Sequence, residues 1–231
     1  MKKAVILLSG GLDSTTVLAI AKKEGYDCFA LSFDYGQRHK SELQNAKEIA
    51  NSYNVKEHKI AKIDLTIFAG SSLTSQLDVK KNSLKENKEI PNTYVAARNT
   101  IFLSYALAYA ETIRAEDIFI GVNAVDYSNY PDCRPEFIAA YENMANLATA
   151  ISINGEVRFK INSPLINLSK KEIIQFGISL GVDYSKTHSC YDPILVEGQI
   201  FSCAECDSCL FRLQAFQDLG IKDEIKYLKK D

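Results

Sequence analysis

The sequence predicts an α/β fold: a doubly wound parallel sheet with helices on both faces, followed by a small C-terminal helical appendage. Three observations carry that expectation. Apolar runs alternate with amphipathic stretches, the first run ends in Ser9-Gly10-Gly11, and four of the six cysteines crowd the last quarter of the chain.

Residues 4–8, 28–33 and 118–122 are continuous apolar runs, the pattern of strands buried on both faces. Residues 55–60 and 159–161 are weaker strands of the same sheet. Between them, 15–24, 40–53 and 99–113 carry apolar residues at helical spacing and read as crossover helices. Ser169-Lys170-Lys171-Glu172 has the capping-box pattern, so a helix starts there and ends near Gly181. Residues 65–92 turn to Ser, Thr, Lys, Asn and Glu and read as a mobile surface loop or lid. The pattern divides the chain into a nucleotide-binding α/β domain, 1–182, and a cysteine-bearing segment, 183–231.

With 231 residues, 46% of them apolar and 24% charged, the chain is long enough to bury one large core. The opening apolar run is too short to span a membrane, and no other stretch approaches the roughly 20 apolar residues a span needs. A cytoplasmic protein without a membrane partner is expected. A net charge of −2 leaves no basic excess for holding nucleic acid, so the expected partners are small molecules.

Strand, then Ser9-Gly10-Gly11-Leu12-Asp13-Ser14, then an apolar helix, is the order of an anion site at a helix N-terminus. The glycines let the backbone approach phosphate oxygens, and Ser9, Ser14 and Thr15 add hydroxyls. Nucleotide contacts are therefore assigned to Leu8, Ser9, Gly10, Gly11, Leu12, Asp13, Ser14, Thr15, Thr16, Val17 and Leu18. A carboxylate at Asp13 conflicts with an anion unless Mg2+ bridges the two, so Asp13 is assigned a catalytic role. No lysine stands where kinases and GTPases carry one after their last loop glycine, which disfavours transfer of the terminal phosphoryl group. The loop resembles the PP-loop of ATP pyrophosphatases, Ser-Gly-Gly-x-Asp-Ser. That resemblance implies a Rossmann-like sheet of the adenine nucleotide alpha hydrolase type and attack at the α-phosphorus of ATP.

Cys190 and the run Cys203-Ala-Glu-Cys206-Asp-Ser-Cys209 supply four thiolates, a set that suits one tetrahedral Zn2+. With all four positions filled by sulfur the ion is structural. An iron–sulfur cluster is the alternative occupant, and His188 the alternative fourth ligand.

Together with the loop and the cysteines, the blocks Phe33-Asp34-Tyr35-Gly36-Gln37-Arg38-His39, Tyr94-Val95-Ala96-Ala97-Arg98-Asn99, Gly121-Val122-Asn123 with Asp126-Tyr127-Ser128, and Tyr130-Pro131-Asp132-Cys133-Arg134-Pro135-Glu136-Phe137 resemble the 7-cyano-7-deazaguanine synthase (QueC) family. Ala96 and Ala204 stand where that pattern carries Pro and Gly, and the segment from Cys190 to Cys203 is longer than usual. The resemblance implies an ATP-dependent ligase that turns 7-carboxy-7-deazaguanine and ammonia into the nitrile precursor of queuosine through adenylated intermediates. It also implies a homodimer. The spent nucleotide is AMP with pyrophosphate by PP-loop logic, with ADP and phosphate as the other accounting. The chain has no room for a glutaminase beside the α/β unit, so free ammonium is the expected donor. Arg98 is assigned to the α-phosphate or the substrate carboxylate, and Tyr35, Asn99, Asp126, Tyr127 and Asp132 to the deazaguanine. Two rivals remain. One is a tRNA thiolation enzyme using Cys133, the other a zinc-stabilised regulator that binds ATP without turnover.

Overall fold

A computed structural model describes residues 1–37, 41–68, 70–82, 90–124 and 130–228. The chain runs β1 (Lys3–Leu7), α1 (Leu12–Lys23), β2 (Asp27–Asp34), α2 (Ser41–Ser52) and β3 (Glu57–Lys62), then α3 (Arg98–Ile113) and β4 (Asp117–Phe119). It continues through α4 (Pro135–Ala148), the single turn α5 (Ala150–Ile153), β5 (Lys160–Asn162) and α6 (Lys170–Ser179). A hairpin of β6 (Ile194–Val196) and β7 (Gln199–Phe201) precedes α7 (Asp207–Asp218).

The five strands β1 to β5 form one sheet in the order β3-β2-β1-β4-β5, parallel throughout. Strands two and three extend from β1 on one side, four and five on the other. The strand order therefore reverses at β1, and the crevice beyond its carboxyl end is the place where open α/β sheets bind ligands. The predicted fold class is the one observed.

Both faces of β1 are covered, which is why it reads as an unbroken apolar run. Ala4, Ile6 and Leu8 face a layer made by α1, α2, α6 and α7, with Val17, Leu18, Ile49, Ile173 and Phe216. Val5 and Leu7 face the opposite layer, with Leu103, Leu107, Ile138 and Tyr141 from α3 and α4. Each such side chain removed from water contributes about 1.5–3 kcal/mol. On that second face Phe33 stacks on Phe102 with ring centroids 3.9 Å apart, which seats α3 against the end of β2.

The expected strands and helices are present with shifted ends. The fourth strand stops at Phe119 rather than residue 122, because the backbone there leaves the sheet to pass over the loop after β1: a Cβ built on Gly121 would lie 3.2 Å from the Ser14 amide. The capping box at Ser169 is formed in full, and the helix ends at the left-handed Gly181. Residues 65–92 need correction as a surface loop. No helix or sheet strand is assigned among their described residues, yet Leu65 and Leu73 join the core and Val79 packs on the cysteines. Lys81 bridges to the backbone of Cys206 and binds Glu205 at 3.1 Å and Asp192 at 3.4 Å. Hydroxyl groups let a polar segment be buried when their oxygens are bonded, as Ser75 does to the Ser71 carbonyl at 2.6 Å. No helix among the described residues is long and apolar enough to cross a membrane.

Candidate active site

The loop after β1 is built to leave amides open. Gly11 stands at the N-cap of α1 and offers no side chain to its first turn, so those donors are uncapped. The loop hydroxyls meanwhile brace the turn: Ser9 and Ser14 oxygens lie 3.0 Å apart, and Ser14 and Thr15 donate to the Gly11 carbonyl at 3.2 and 2.8 Å. Gly10 has φ 83°, and a Cβ added there would collide with the backbone of Glu42 and Ala46 in α2. The Gly10→Ala variant is therefore expected to lose about 2–4 kcal/mol of stability, from the left-handed backbone and the clash together, read as a lowered thermal midpoint.

One cavity opens above this loop, lined by Leu8, Ser9, Gly11, Leu12, Asp13 and Ser14 on one side and by Tyr35, Arg98, Asn99, Tyr130 and Cys133 on the other. Thr16, Val17 and Leu18 are buried off its wall. Thr16 bonds to the Leu12 carbonyl and the Tyr184 phenol, and the other two fill the core. Of the assigned stretch, Leu8, Ser9, Gly11, Leu12, Asp13 and Ser14 line the cavity, and Gly10, Thr15, Thr16, Val17 and Leu18 do not.

Asp13 is neutralised by a residue that periodicity and motif did not single out as functional. The Lys170 ammonium bonds both carboxylate oxygens of Asp13, at 2.8 and 2.7 Å. Its signal in the sequence was the capping box, which fixes Lys170 as the first residue of α6. What remained invisible was that this helix end faces the loop across 157 residues of chain.

Arg98 opens α3 directly after Ala97, whose backbone is left-handed at φ 52°. Such a conformation in a residue with a side chain marks a position set by its surroundings. The Asp132 carboxylate accepts from the Asn99 amide at 2.9 Å, and the Asn99 side chain donates to the Asp132 carbonyl at 3.1 Å. Asn99 and Asp132 thus engage each other, holding the start of α3 and with it Arg98. The guanidinium reaches the Tyr35 phenol; burial pushes that phenol up, and the charge of Arg98 offsets part of the push. Tyr191, Tyr130 and Cys133 surround the same guanidinium. His39, Asp126 and Tyr127 lie outside the described residues.

Cys190, Cys203, Cys206 and Cys209 come together, all four buried, their sulfurs within 4.8 Å of one another. Zn–S bonds of about 2.3 Å in a tetrahedron separate sulfurs by about 3.8 Å, so small inward shifts admit the ion. Backbone amides aim at the sulfurs, from Cys203 to Cys190 at 3.3 Å and from Cys206 to Cys203 at 3.3 Å, as thiolates require. Ala204 takes the left-handed backbone, φ 61°, that the tight turn between the ligands demands. No disulfide links the cysteines, and His188 stands outside the cluster, its amide donating to the Gly10 carbonyl at 3.0 Å. That bond carries the tail over the phosphate loop, so Ser189, Cys190 and Tyr191 complete the cavity wall.

A family model described as queuosine biosynthesis protein QueC matches residues 3–220. The chain is 58% identical over 228 residues to a 7-cyano-7-deazaguanine synthase from Geotalea uraniireducens, covering 99% of this chain and 98% of that protein. It is 60% identical over 228 residues to the one from Citrifermentans bemidjiense, covering 99% of each. Among solved structures, NMN synthetase from Francisella tularensis superposes with a TM-score of 0.50 at 19% identity, over 96% of this chain and 78% of that one. That last likeness is one of fold.

Proposed function

The chain belongs to the QueC family of queuosine biosynthesis proteins, and from that premise we propose that it makes 7-cyano-7-deazaguanine from 7-carboxy-7-deazaguanine, ammonium and ATP. The observation that carries the reading is the meeting of the uncapped loop, the Asp13–Lys170 pair and Arg98 around one cavity at the strand-order reversal.

A carboxylate resists attack by ammonia at neutral pH. Its oxygen attacks the α-phosphorus of ATP, pyrophosphate leaves, and the acyl adenylate so formed loses AMP to ammonia, giving the amide. The amide oxygen then attacks a second ATP. Loss of that oxygen as AMP, with two N–H protons shed over the sequence, leaves the nitrile. The loop amides hold the departing pyrophosphate, and Lys170 and Arg98 balance charge at the α-phosphate and the carboxylate. Asp132 and Asn99 position Arg98, and Tyr35 orients it. Mg2+ accompanying the nucleotide would be held by Asp13, in exchange for part of that carboxylate's bonding to Lys170, and would supply Lewis-acid neutralisation of the phosphates. Asp126 and Tyr127 are proposed to reach the deazaguanine. Cys190, Cys203, Cys206 and Cys209 are proposed to hold one structural zinc that organises residues 183–231 beside the α/β domain. A cytoplasmic homodimer is the form proposed, since thiolates of this kind persist in a reducing compartment.

The test supplies ATP, Mg2+, ammonium and 7-carboxy-7-deazaguanine, omits each in turn, and follows product by mass spectrometry. A nitrile with two AMP per product is expected. ATP binding without any turnover would instead leave a nucleotide-binding regulator.

A further inference from the structure

We propose that Glu42 is the ammonium site of this cavity: its carboxylate binds the ion, takes one proton and releases ammonia toward the activated carboxyl carbon. The proposal rests on the amide-forming reading above. Glu42 lies in the first turn of α2, the turn whose backbone packs on Gly10 of the phosphate loop, and its side chain lines the cavity with Ser9, Tyr35 and Arg98.

The cavity's other substrates, a nucleoside triphosphate and a carboxylate, are anions. A carboxylate on their wall repels both unless it serves a cation, and Asp13 differs from Glu42 in already holding Lys170. Ammonium is the cationic reactant. Neighbouring Leu43, Leu73 and Phe33 give this part of the wall an apolar lining. Burial there pushes the Glu42 carboxyl up to about 7, against the opposing pull of Arg98. Near neutrality such a group is partly ionised, so it can attract ammonium, and basic enough to accept its proton. Among the described residues, the charged and titratable groups acting on it are Arg98 and Tyr35.

The step balances. Ammonium gives one proton to the carboxylate, and the freed lone pair forms the C–N bond. The C–O bond to AMP breaks with its electron pair on the phosphate, and the surplus N–H proton passes to solvent.

The test compares the parent enzyme with Glu42→Gln, using ammonium or hydroxylamine, a nucleophile largely uncharged at neutral pH. The variant is expected to lose about 100-fold in kcat/KM for ammonium while pyrophosphate release and hydroxamate formation from hydroxylamine keep the parental rate. In the parent, kcat/KM for total ammonium should level off above about pH 7, whereas in the variant it should keep rising with pH as free ammonia becomes the nucleophile. Equal losses with both nucleophiles would assign Glu42 to positioning Arg98 and overturn the proposal, as would unchanged ammonium kinetics. A parent enzyme that yields neither amide nor hydroxamate overturns the amide-forming reading itself.

Discussion

The Lys170→Ala enzyme is expected to release pyrophosphate about 10²–10³-fold more slowly than the parent at saturating substrates, the loss typical of a single preorganised donor. The ammonium stands at the helix end that faces the phosphate loop and is only 15% exposed, so its charge acts with little screening by water. Removing it has two effects of the same sign. The departing pyrophosphate loses a cation, and Asp13 becomes an unbalanced carboxylate beside an anionic ligand. The helix itself keeps its start, because Ser169 and Glu172 still satisfy each other, so the thermal midpoint is expected to stay close to that of the parent. Lys170→Arg, which retains charge, should recover part of the rate. Pyrophosphate release at the parental rate in Lys170→Ala would remove the residue from the reaction.

Cys203→Ser, or prolonged chelation, is expected to abolish activity and to unfold the tail, because a four-cysteine zinc site contributes about 10–16 kcal/mol to folding the segment around it. Cys203 sits on the left-handed turn and receives amide donors from Glu205 and Cys206, at 3.4 and 3.3 Å. The tail has few other anchors of that size. Arg212, buried, bonds Asp223 through two nitrogens and the Tyr184 carbonyl at 2.9 Å, and the clasp at Lys81 joins the earlier loop. Metal analysis of the parent should find one zinc per chain, and protease should cut the chelated protein after residue 183 while leaving the sheet whole. Cys28→Ala is the matched control: Cys28 is buried in β2 away from the cluster, so that variant should retain its metal. A chelated enzyme that is metal-free, folded and active would overturn the structural role.

How much of this was legible depended on whether the signal was local. The unbroken apolar run of β1, the glycine turn after it and the Ser169–Glu172 pair are written in consecutive residues, and each was found where expected. The cysteines were legible because ligand spacing constrains identity as well as position. α4 was missed, although Ile138, Tyr141 and Ala145 repeat at helical spacing behind Pro135, because the block at its start was read for chemistry. The hairpin was missed as well. Its two-residue turn, Glu197-Gly198, has positive φ at both positions, and glutamate there carries little turn propensity. The polar stretch 65–92 misled because composition reports solubility and says nothing of which hydroxyls find partners. Lys170 with Asp13, and Glu42 above Gly10, are tertiary meetings that no window of sequence contains.

The wall formed jointly by residues near 10 and residues near 190 has a consequence for the nascent protein. As the polypeptide leaves the ribosome, the sheet is complete once residue 162 has emerged, yet the chamber over its loop stays roofless. Its last wall arrives only with residues 188–191 and the cysteines through Cys209 that gather beside them. On the proposed function, an unfinished copy is expected to waste no ATP, and zinc starvation is expected to spare the scaffold while costing the reaction.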